Sequence, residues 1–212
     1  MRTRADAPRV TAVVLAAGAS RRFGAHKLLV PLGGMPLVAR TVGAVAASAA
    51  DDVVVVLGRD ARRVRRALAD LRAAFVTNPA FAEGMSTSLR AGVAAVPAQA
   101  DALVVVLADQ PELASDAIDL VIAAFRDSGA PIVRPVYDGV PGHPVLFSRA
   151  LFPELALVTG DEGARAVLAR HAARVLDVPV AAPAPRDVDT VDDYRACLRR
   201  WASAGALHAA GR

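Results

Sequence analysis

Short apolar runs alternate with longer segments of helical periodicity along most of this 212-residue chain. Apolar runs of about four to eight residues are typical of buried strands, whereas apolar positions that recur every three to four residues indicate a helix. This pattern predicts strands at residues 10–15, 52–57, 75–77, 102–107 and 175–178. It predicts helices at residues 37–47, 59–71, 85–96 and 115–126, one after residues 160–163 and a last one from residue 190.

The predicted strands are almost continuously apolar, as in the Val-Val-Val-Val-Leu run that ends at Leu57. Strands of this kind, alternating with helices, are typical of a parallel sheet that helices cover on both faces. In such sheets ligands bind beyond the carboxyl ends of the strands. The pattern therefore predicts an α/β fold with its functional residues in the loops that follow the strands.

The pattern of apolar runs and turn residues changes from Pro131 onward. Residues 132–137 and 144–147 flank a Gly/Pro loop, Asp-Gly-Val-Pro-Gly-His, which predicts a hairpin-like β excursion. The Ala-Ala-Pro-Ala-Pro stretch at 181–185 is too short for a domain linker. We predict a single domain over residues 1–212 with a core at about 10–200, and expect residues 1–8 and 203–212 to be flexible.

Composition narrows the function classes. The net charge is +4, but four of the arginines are expected on one solvated helix face, namely Arg62, Arg63, Arg65 and Arg66. Aromatic residues make up only 4% of the chain, which offers few surfaces for stacking nucleobases. We therefore predict no nucleic-acid partner, and mild basicity also suits a small anionic substrate.

The chain has one cysteine, Cys197, so no internal disulfide can form, and its helical surroundings predict a core position. No run of 18 apolar residues is present, and Arg9 interrupts any secretory h-region. We expect a soluble protein of the cytoplasm without a membrane partner.

The most informative segment is the loop after the first strand, where an apolar run ends at Ala-Ala-Gly. Two arginines, Arg21 and Arg22, then Gly24 and Lys27 follow, and Lys27 is the only lysine among 25 Lys and Arg residues. Backbone N–H groups and cations held by such a loop suit a polyphosphate, and a lysine can follow a moving phosphate. The alternative is an ordinary strand–loop–helix connection.

The spacing in this loop excludes two common nucleotide motifs. Five residues separate Gly18 from Gly24 and two more precede Lys27, which does not fit a Walker loop. Ser20 stands where a dinucleotide fingerprint has its second glycine. We therefore predict neither a standard P-loop NTPase nor an ordinary Rossmann dehydrogenase.

Two aspartates follow predicted strands or precede a predicted helix in places that suit a metal. Asp109 comes just after the strand at 102–107, where a carboxylate can hold Mg²⁺ over phosphates. Its alternative is a helix cap, but Ser115 is the better-placed cap. Asp189 could either be a second metal ligand or cap the last helix. Asp192 and Asp193 fall in the first turn of that helix and are expected to stabilise it.

Three further segments are candidate ligand contacts. Residues 84–89, Gly-Met-Ser-Thr-Ser-Leu, offer hydroxyls and N–H groups at a helix start, although simple capping by Ser86 is the alternative. Residues 142–144, Gly-His-Pro, place an imidazole in a loop, where it could face a substrate or solvent. The glycines and Arg165 of residues 160–165 could cradle a substrate or begin a helix. The histidines lack zinc-site spacing, and no Gly-x-Ser-x-Gly elbow supports nucleophilic hydrolysis.

These motifs, taken in order, resemble those of the molybdenum cofactor cytidylyltransferase family. The similarity covers about residues 10–197. The first motif alone would also fit sugar-phosphate and isoprenoid-pathway nucleotidyltransferases, and the guanylyltransferase branch usually has Gly-Gly where this chain has Ala17-Gly18. The residues that carry the resemblance are Leu15-Ala16-Ala17-Gly18, Ser20, Arg22-Phe23-Gly24, Lys27-Leu28-Leu29, Gly84-Met85, Ser88-Leu89, Asp109-Gln110-Pro111, Gly142-His143-Pro144, Gly160-Asp161, Gly163-Ala164-Arg165 and Asp187-Val188-Asp189-Thr190.

The resemblance implies a three-layer α/β/α nucleotidyltransferase of Rossmann-like type that joins CTP to molybdopterin cofactor and releases pyrophosphate. It implies catalytic roles for Lys27, Arg22 and Asp109, and Mg²⁺ held by Asp109 and Asp189. The implied nucleotide contacts are Leu15, Ala16, Ala17, Gly18, Ala19, Ser20, Arg22, Lys27, Asn78, Gly84, Met85 and Ser88. The implied second-substrate contacts are Gly142, His143, Pro144, Gly160, Asp161, Gly163 and Arg165.

Two other functions remain open at this point. The first is a same-fold enzyme that uses GTP or another acceptor, including enzymes of purine or N-heterocycle catabolism, because a fold does not fix its substrate. The second is a non-catalytic chaperone that delivers molybdenum cofactor to a hydroxylase. Such a chaperone would need the pterin pocket but not the two carboxylates.

Overall fold

The computed structural model describes residues 7–18, 20 and 22–210, and for residues 204–210 only the backbone enters the description. The strands are β1 (Val10–Ala16), β2 (Pro31–Leu32), β3 (Met35–Pro36), β4 (Asp52–Leu57), β5 (Ala74–Thr77), β6 (Ala102–Leu107), β7 (Ile132–Tyr137), β8 (Val140–Pro141), β9 (Val145–Ser148) and β10 (Val175–Val180). The helices are α1 (Leu37–Ala46), α2 (Ala61–Ala67), α3 (Met85–Ala95), α4 (Ser115–Ser128), α5 (Phe152–Leu155), α6 (Arg165–Arg170) and α7 (Val191–Ala210).

The main sheet has the strand order β10-β7-β9-β6-β1-β4-β5, and β8 pairs with β7 at its side. β1 is parallel to both β4 and β6, and β5 continues this parallel half. β9 is antiparallel to both of its neighbours, and β7 turns back on itself through the short β8. The predicted mostly parallel sheet and the β excursion after residue 131 are both confirmed.

Side chains alternate between two cores along the central strands. In β1, Val10, Ala12 and Val14 belong to one core, whereas Val13 belongs to the other, and all four are fully buried. The first core includes residues of α1, α2, α4 and α7, and the second includes residues of α3, α5 and α6. Burying one valine side chain is worth roughly 1.5–3 kcal/mol. Two apolar faces thus hold two helical layers, which gives the three-layer α/β/α architecture.

The helix boundaries correct the sequence predictions at three places. α2 begins later than predicted because Asp60, just before it, has a left-handed backbone with φ of 54°, and it also ends earlier, at Ala67. α3 ends at Ala95 because Val96, which precedes a proline, is extended. Ser115 is the first residue of α4 and not its cap, since Ala114 occupies the cap position and no side chain caps this helix.

Two smaller predictions are confirmed. The arginines of α2 are exposed while Val64 faces the core. Cys197 is fully buried in α7. Among the described residues, no helix is long and apolar enough to cross a lipid bilayer.

Candidate active site

A cleft of about 760 Å³ opens at the carboxyl ends of the central strands β1 and β6. This is the edge where ligands bind in open α/β sheets. Most of the residues predicted from the sequence line it together. They are Leu15, Ala17, Gly18, Ser20, Arg22, Lys27, Gly84, Met85, Ser88, Asp109, Gly160, Asp161, Arg165 and Asp189.

A network of charges lies at the floor of this cleft. The Lys27 ammonium donates to Asp109 Oδ2 over 2.7 Å and to Asp189 Oδ1 over 2.8 Å. The Arg22 guanidinium donates to the other oxygen of Asp189 over 2.8 Å. Lys27 is only 7% exposed, so these contacts form in surroundings that screen charge weakly. The two predicted metal carboxylates therefore converge on one nitrogen atom.

The fold brings these three side chains together from distant parts of the chain. Lys27 begins a single 3-10 turn after the β1 loop, and Asp109 follows the end of β6. The Val188 N–H donates to the Asp109 carbonyl over 2.9 Å, which ties the segment before α7 to the β6 end. Asp189 is consequently held beside Asp109 through the backbone as well as through Lys27.

The capping of α7 excludes one of the two roles left open for Asp189, and its role as a metal ligand stays a prediction. Thr190 and Asp193 cap the helix reciprocally, with the Asp193 N–H donating to Thr190 Oγ1 and Asp193 Oδ2 accepting from the Thr190 N–H. Asp193 Oδ2 also accepts from the Asp189 N–H. The Asp189 carboxylate is therefore not needed as a cap and points into the cleft. Asp192 pairs with Arg195 on the exposed face.

Burial and pairing shift the pKa values of these groups in different directions. Burial lowers the pKa of the Lys27 ammonium, but its pairing with Asp109 and Asp189 outweighs this, so the pKa is raised overall. Burial raises the pKa of Asp109, and Lys27 offsets this only in part. Burial also acts to raise the pKa of Asp189, but Lys27 and Arg22 outweigh it, so the value is lowered. Pairing thus favours the charged forms of Lys27 and Asp189, whereas burial favours the neutral form of Asp109.

Asp187 and Gln110 belong to the same site, although the sequence suggested no definite role for either. Asp187 lines the cleft, and its Oδ1 accepts from Gln110 Nε2 over 2.8 Å. The signal was present in the alternation that places Asp187 on the same face as Asp189. The cleft also includes residues 81–83, a 3-10 turn whose position no motif indicated.

The loop after β1 has the backbone irregularity that a phosphate-binding turn requires. Ser20 has a positive φ of 52°, which is uncommon for a residue with a side chain. Its buried hydroxyl has no hydrogen-bond partner in the described part of the chain. Ala16 is buried beneath the loop and does not line the cleft, which corrects its predicted contact. Ala19 lies outside the described residues, so its predicted contact stays a prediction.

The start of α3 differs from expectation because its N–H groups are already occupied. Asp161 Oδ1 accepts from the Met85 N–H over 2.9 Å, and the Gly160 carbonyl accepts from the Ser86 N–H over 3.2 Å. Gly84, which occupies the cap position, has φ of 119°, and a Cβ there would lie 2.5 Å from the Gly160 oxygen. These helix-terminal N–H groups therefore hold the 160–161 segment and are not free for an anion, and Ser86 is not the cap.

Asn78 is buried and plays a supporting role, which corrects its predicted nucleotide contact. Its amide donates to the hydroxyls of Thr87 and Ser88 over 2.8 and 3.0 Å, and its oxygen accepts from the Ala80 N–H. All of its polar atoms thus serve to place the first turn of α3. Only Ser88 of this group reaches the cleft lining.

The Gly-His-Pro segment is not part of the cleft lining, but the His143 imidazole lies close enough to Asp109, Asp187 and Arg165 to interact with their charges. Tyr137 donates its hydroxyl hydrogen to the His143 carbonyl over 2.7 Å, and the Gly142 N–H donates to Pro135, so residues 142–144 pack against β7. Burial lowers the pKa of the His143 imidazole. Gly163 is buried against the Met85 side chain. Of the predicted second-substrate contacts, only Gly160, Asp161 and Arg165 line the cleft.

The donor set at the floor of the cleft fits a magnesium ion that also contacts phosphates. Mg²⁺ is usually held by one or two carboxylates, with waters and substrate phosphates completing its octahedron. Asp109 and Asp189 supply two carboxylates at one point. No group of three or more His, Cys, Asp or Glu side chains that could hold a metal is found among the described residues.

The main sheet is mostly parallel, and a charged cleft lies at its carboxyl edge. The cleft contains two converging carboxylates and a glycine-bearing loop with a lysine. Together these features indicate a nucleotidyltransferase. Residues 12–175 match the MobA-like NTP transferase domain. The chain belongs to this family.

Three curated relatives align with nearly the whole chain. Nicotine blue oxidoreductase of Paenarthrobacter nicotinovorans is 33% identical and covers 90% of this chain and 97% of the relative. Purine catabolism protein PucB of Bacillus subtilis is 30% identical, with coverage of 88% and 95%. Molybdenum cofactor cytidylyltransferase of Escherichia coli is 26% identical, with coverage of 91% and 97%.

A solved structure has the same fold. Rv0371c of Mycobacterium tuberculosis in complex with manganese superimposes with a TM-score of 0.76 at 32% identity. The alignment covers 91% of this chain and 99% of that protein. A relative of this fold has thus been crystallised with a divalent metal.

Proposed function

We propose that this enzyme transfers CMP from CTP to molybdopterin cofactor and releases pyrophosphate in a Mg²⁺-dependent reaction. The observation that carries the proposal is the pairing of Lys27 with Asp109 and Asp189 at the floor of the cleft. It supplies one cation for phosphates and two carboxylates for a metal in one place. The likeness to the cytidylyltransferase of Escherichia coli supports the choice of substrates.

In this proposal the attacking group is a phosphate oxygen of the acceptor. It forms a bond to the α-phosphorus of CTP while the bond from that phosphorus to the bridging oxygen breaks, and the electron pair leaves with pyrophosphate. A phosphate is already anionic at neutral pH, so the enzyme needs no general base. Catalysis then consists of positioning the two substrates and neutralising the charge that builds on phosphate oxygens.

The chain's own residues divide this work. Lys27 and Arg22 would neutralise charge on the polyphosphate, and the loop from Leu15 to Ser20 would surround it with backbone N–H groups. Asp109 and Asp189 would hold Mg²⁺, which when bound neutralises phosphate charge as a Lewis acid.

Two adjoining segments of the cleft lining would bind the two substrates. Gly84, Met85 and Ser88 would lie beside the nucleoside, and Gly160, Asp161 and Arg165 would lie beside the acceptor. Arg165 offers a planar fork that suits an acceptor phosphate. A molybdenum hydroxylase would be the final recipient of the product, and a cytoplasmic location stays a prediction from the sequence.

The test is pyrophosphate release by the purified protein with Mg²⁺ and each nucleoside triphosphate, with and without molybdenum cofactor. We expect release only with CTP and cofactor together, and a cytidylylated pterin in the mass spectrum of the product. Release with GTP in place of CTP would change the proposed nucleotide from CTP to GTP. Absence of release with every nucleotide in the presence of the cofactor would overturn the proposal.

A second function has support from the comparisons, because the two relatives of highest identity among the three are named for nicotine blue and purine catabolism. In that case the cleft would accept an N-heterocyclic substrate. The loop after β1 lacks the dinucleotide fingerprint at Ser20, which disfavours a Rossmann-type use of nicotinamide cofactors. Incubation with N-heterocycles and NADH or NADPH, monitored for cofactor oxidation, separates this function from the first.

A further inference from the structure

The position between Asp109 and Asp189 is occupied by a side chain of the protein itself. The Lys27 nitrogen lies 2.7 Å from one carboxylate and 2.8 Å from the other. A magnesium or manganese ion that uses both carboxylates would have to lie in nearly the same place, about 2.0–2.1 Å from each ligand oxygen for magnesium. A metal ion that uses both carboxylates would compete with the ammonium, because three of their four oxygens already accept from Lys27 or Arg22.

The two carboxylates already have cationic partners in the free protein. Two carboxylates face two cations, since Arg22 takes the second oxygen of Asp189. A divalent ion arriving alone must therefore displace Lys27 and gain no new partner for the displaced ammonium. Lys27 is buried, so moving its charge away from both carboxylates without another anion is costly.

A polyphosphate changes this balance because it offers Lys27 and Arg22 new anionic partners in the same cleft. The backbone at Lys27 is held in its 3-10 turn, where its carbonyl accepts from the Val30 N–H. The four-carbon stem can turn about its own bonds while this backbone stays in place. Lys27 can thus exchange the carboxylates for a phosphate without a rearrangement of the loop.

We propose that Lys27 acts as a stand-in cation that makes metal binding depend on the nucleotide. In the nucleotide-free enzyme it holds Asp109 and Asp189 together and keeps divalent cations out. A bound polyphosphate draws Lys27 away and opens the two carboxylates to the metal. This inference rests on the proposed function only in taking a nucleotide polyphosphate as the ligand. Because linkage is reciprocal, the metal must increase the affinity for the nucleotide by the same factor.

The first experiment uses Mn²⁺ alone, with no nucleotide, and measures its affinity by electron paramagnetic resonance. We expect Lys27→Met to bind Mn²⁺ at least about tenfold more tightly than the wild type, within the usual range of coupling between sites. Arg165→Met is the matched control, since it removes one cation from the same cleft without touching either aspartate. It should change the Mn²⁺ affinity only about twofold, as a general loss of positive charge would.

A thermal-shift series guards against misfolding of the variant. Because Mn²⁺ that binds the folded state raises the midpoint of unfolding, Mn²⁺ should raise the Tm of Lys27→Met clearly more than that of the wild type. A Lys27→Met protein without a cooperative transition would be replaced by Lys27→Gln in both measurements. Equal Mn²⁺ affinities of the wild type and the folded Lys27 variant would overturn the inference.

The second experiment adds the α,β-methylene analogue of CTP, which binds but does not transfer, and follows Mn²⁺ by water-proton relaxation. The ternary complex of the wild type should bind Mn²⁺ at least about tenfold more tightly than the nucleotide-free protein, and this gain should be clearly smaller in Lys27→Met, where only the direct contacts between Mn²⁺ and the analogue's phosphates contribute to it. No step of this measurement involves the acceptor or group transfer. A failed transfer assay with intact coupling would thus reject the proposed reaction alone, and intact transfer without coupling would reject this inference alone.

Discussion

Two ion-pair sites in this molecule have nearly the same contact distances but differ in the burial of their cations, since the Lys27 side chain is 8% exposed and that of Arg134 is 26% exposed. In the cleft, Lys27 joins two carboxylates at 2.7 and 2.8 Å. At the edge of the sheet, Arg134 of β7 pairs with Asp177, its direct neighbour on β10, through two contacts of 2.8 and 3.0 Å. The Asp177 side chain is 48% exposed.

The difference shows that distance alone does not reveal what an ion pair does. The edge pair matches one cation with one anion in contact with water, so its removal costs little and leaves no charge buried. The cleft site places two carboxylates around one buried ammonium, so removing any one of these groups leaves a charge without its partner away from water. An arrangement of this kind indicates a binding site, and it also explains why Lys27 is a lysine rather than an arginine.

The largest expected effect separates the two sites by activity. Lys27→Met should lower kcat for pyrophosphate release at least about 100-fold, because it removes one preorganised charge contact to the phosphates. Arg134→Met removes a cation of the edge pair and should leave kcat unchanged. A continuous pyrophosphate assay on both variants measures this. Near wild-type turnover in Lys27→Met would show that the cleft site contributes no more to activity than the edge pair does.

A smaller effect concerns the pH dependence of stability. Lys27 and Arg22 hold the pKa of Asp189 below its ordinary value despite burial. Its contribution is therefore present above the unfolded-state pKa and is lost as the pH falls through the lower folded-state value. Asp189→Asn should cost about 1.5–3 kcal/mol at pH 7, the range for a hydrogen bond to a charged group.

Urea unfolding of the wild type and Asp189→Asn at pH 7, 4 and 3 measures this dependence. The difference between the two proteins should shrink as the medium becomes acidic. A difference that stays constant down to pH 3 would show that the charge of Asp189 does not contribute.

The next effect tests how residues 160–165 are attached to the start of α3. Asp161→Ala removes the carboxylate that caps α3 from 76 residues away. Loss of an N-terminal cap costs about 1 kcal/mol, and the loop that carries Arg165 should loosen, so KM for the acceptor should rise more than kcat falls. Asp161→Asn keeps an acceptor oxygen and should restore most of both values. Equal damage by the two substitutions would mean that the hydrogen bond is not responsible.

The smallest effect belongs to the edge pair. Arg134→Gln should reduce the free energy of unfolding by about 0.2–1 kcal/mol, the range for exposed ion pairs, and the loss should decrease further in 1 M salt. Chemical denaturation at low and high ionic strength measures it. A loss as large as that of Asp189→Asn would mean that exposure does not distinguish the two sites.

The sequence predicted local features well because their causes are local. The strands at 52–57 and 102–107 have the predicted bounds, since an uninterrupted apolar run fills residues 53–57 and 102–107 and an aspartate precedes each run. The loop after β1 and the carboxylates near strand and helix ends could be recognised because residue type and spacing carry that information. The position of the antiparallel β9 between β6 and β7 could not be predicted, since strand pairing joins segments that are far apart in the chain.

The errors at the site have the same origin. Asn78 stands in a loop near a strand end, but its amide is used to place the start of α3, and residues 142–144 pack against β7. The N–H groups of α3 looked available because their partner, Asp161, lies in a distant segment. Residue type and spacing predict which groups can bind a ligand, but not which of them the protein already uses.

The amino-acid sequence by itself determined the alternation of strands and helices, the glycine-bearing loop after β1 and the carboxylates that are candidate metal ligands. These features depend on side-chain chemistry and on neighbours within a few positions. Only the tertiary structure decided that Lys27 meets carboxylates 82 and 162 residues away and that both share its single ammonium. The reason is physical: charge balance in a buried cluster depends on distances in space, which the order of residues along the chain does not specify.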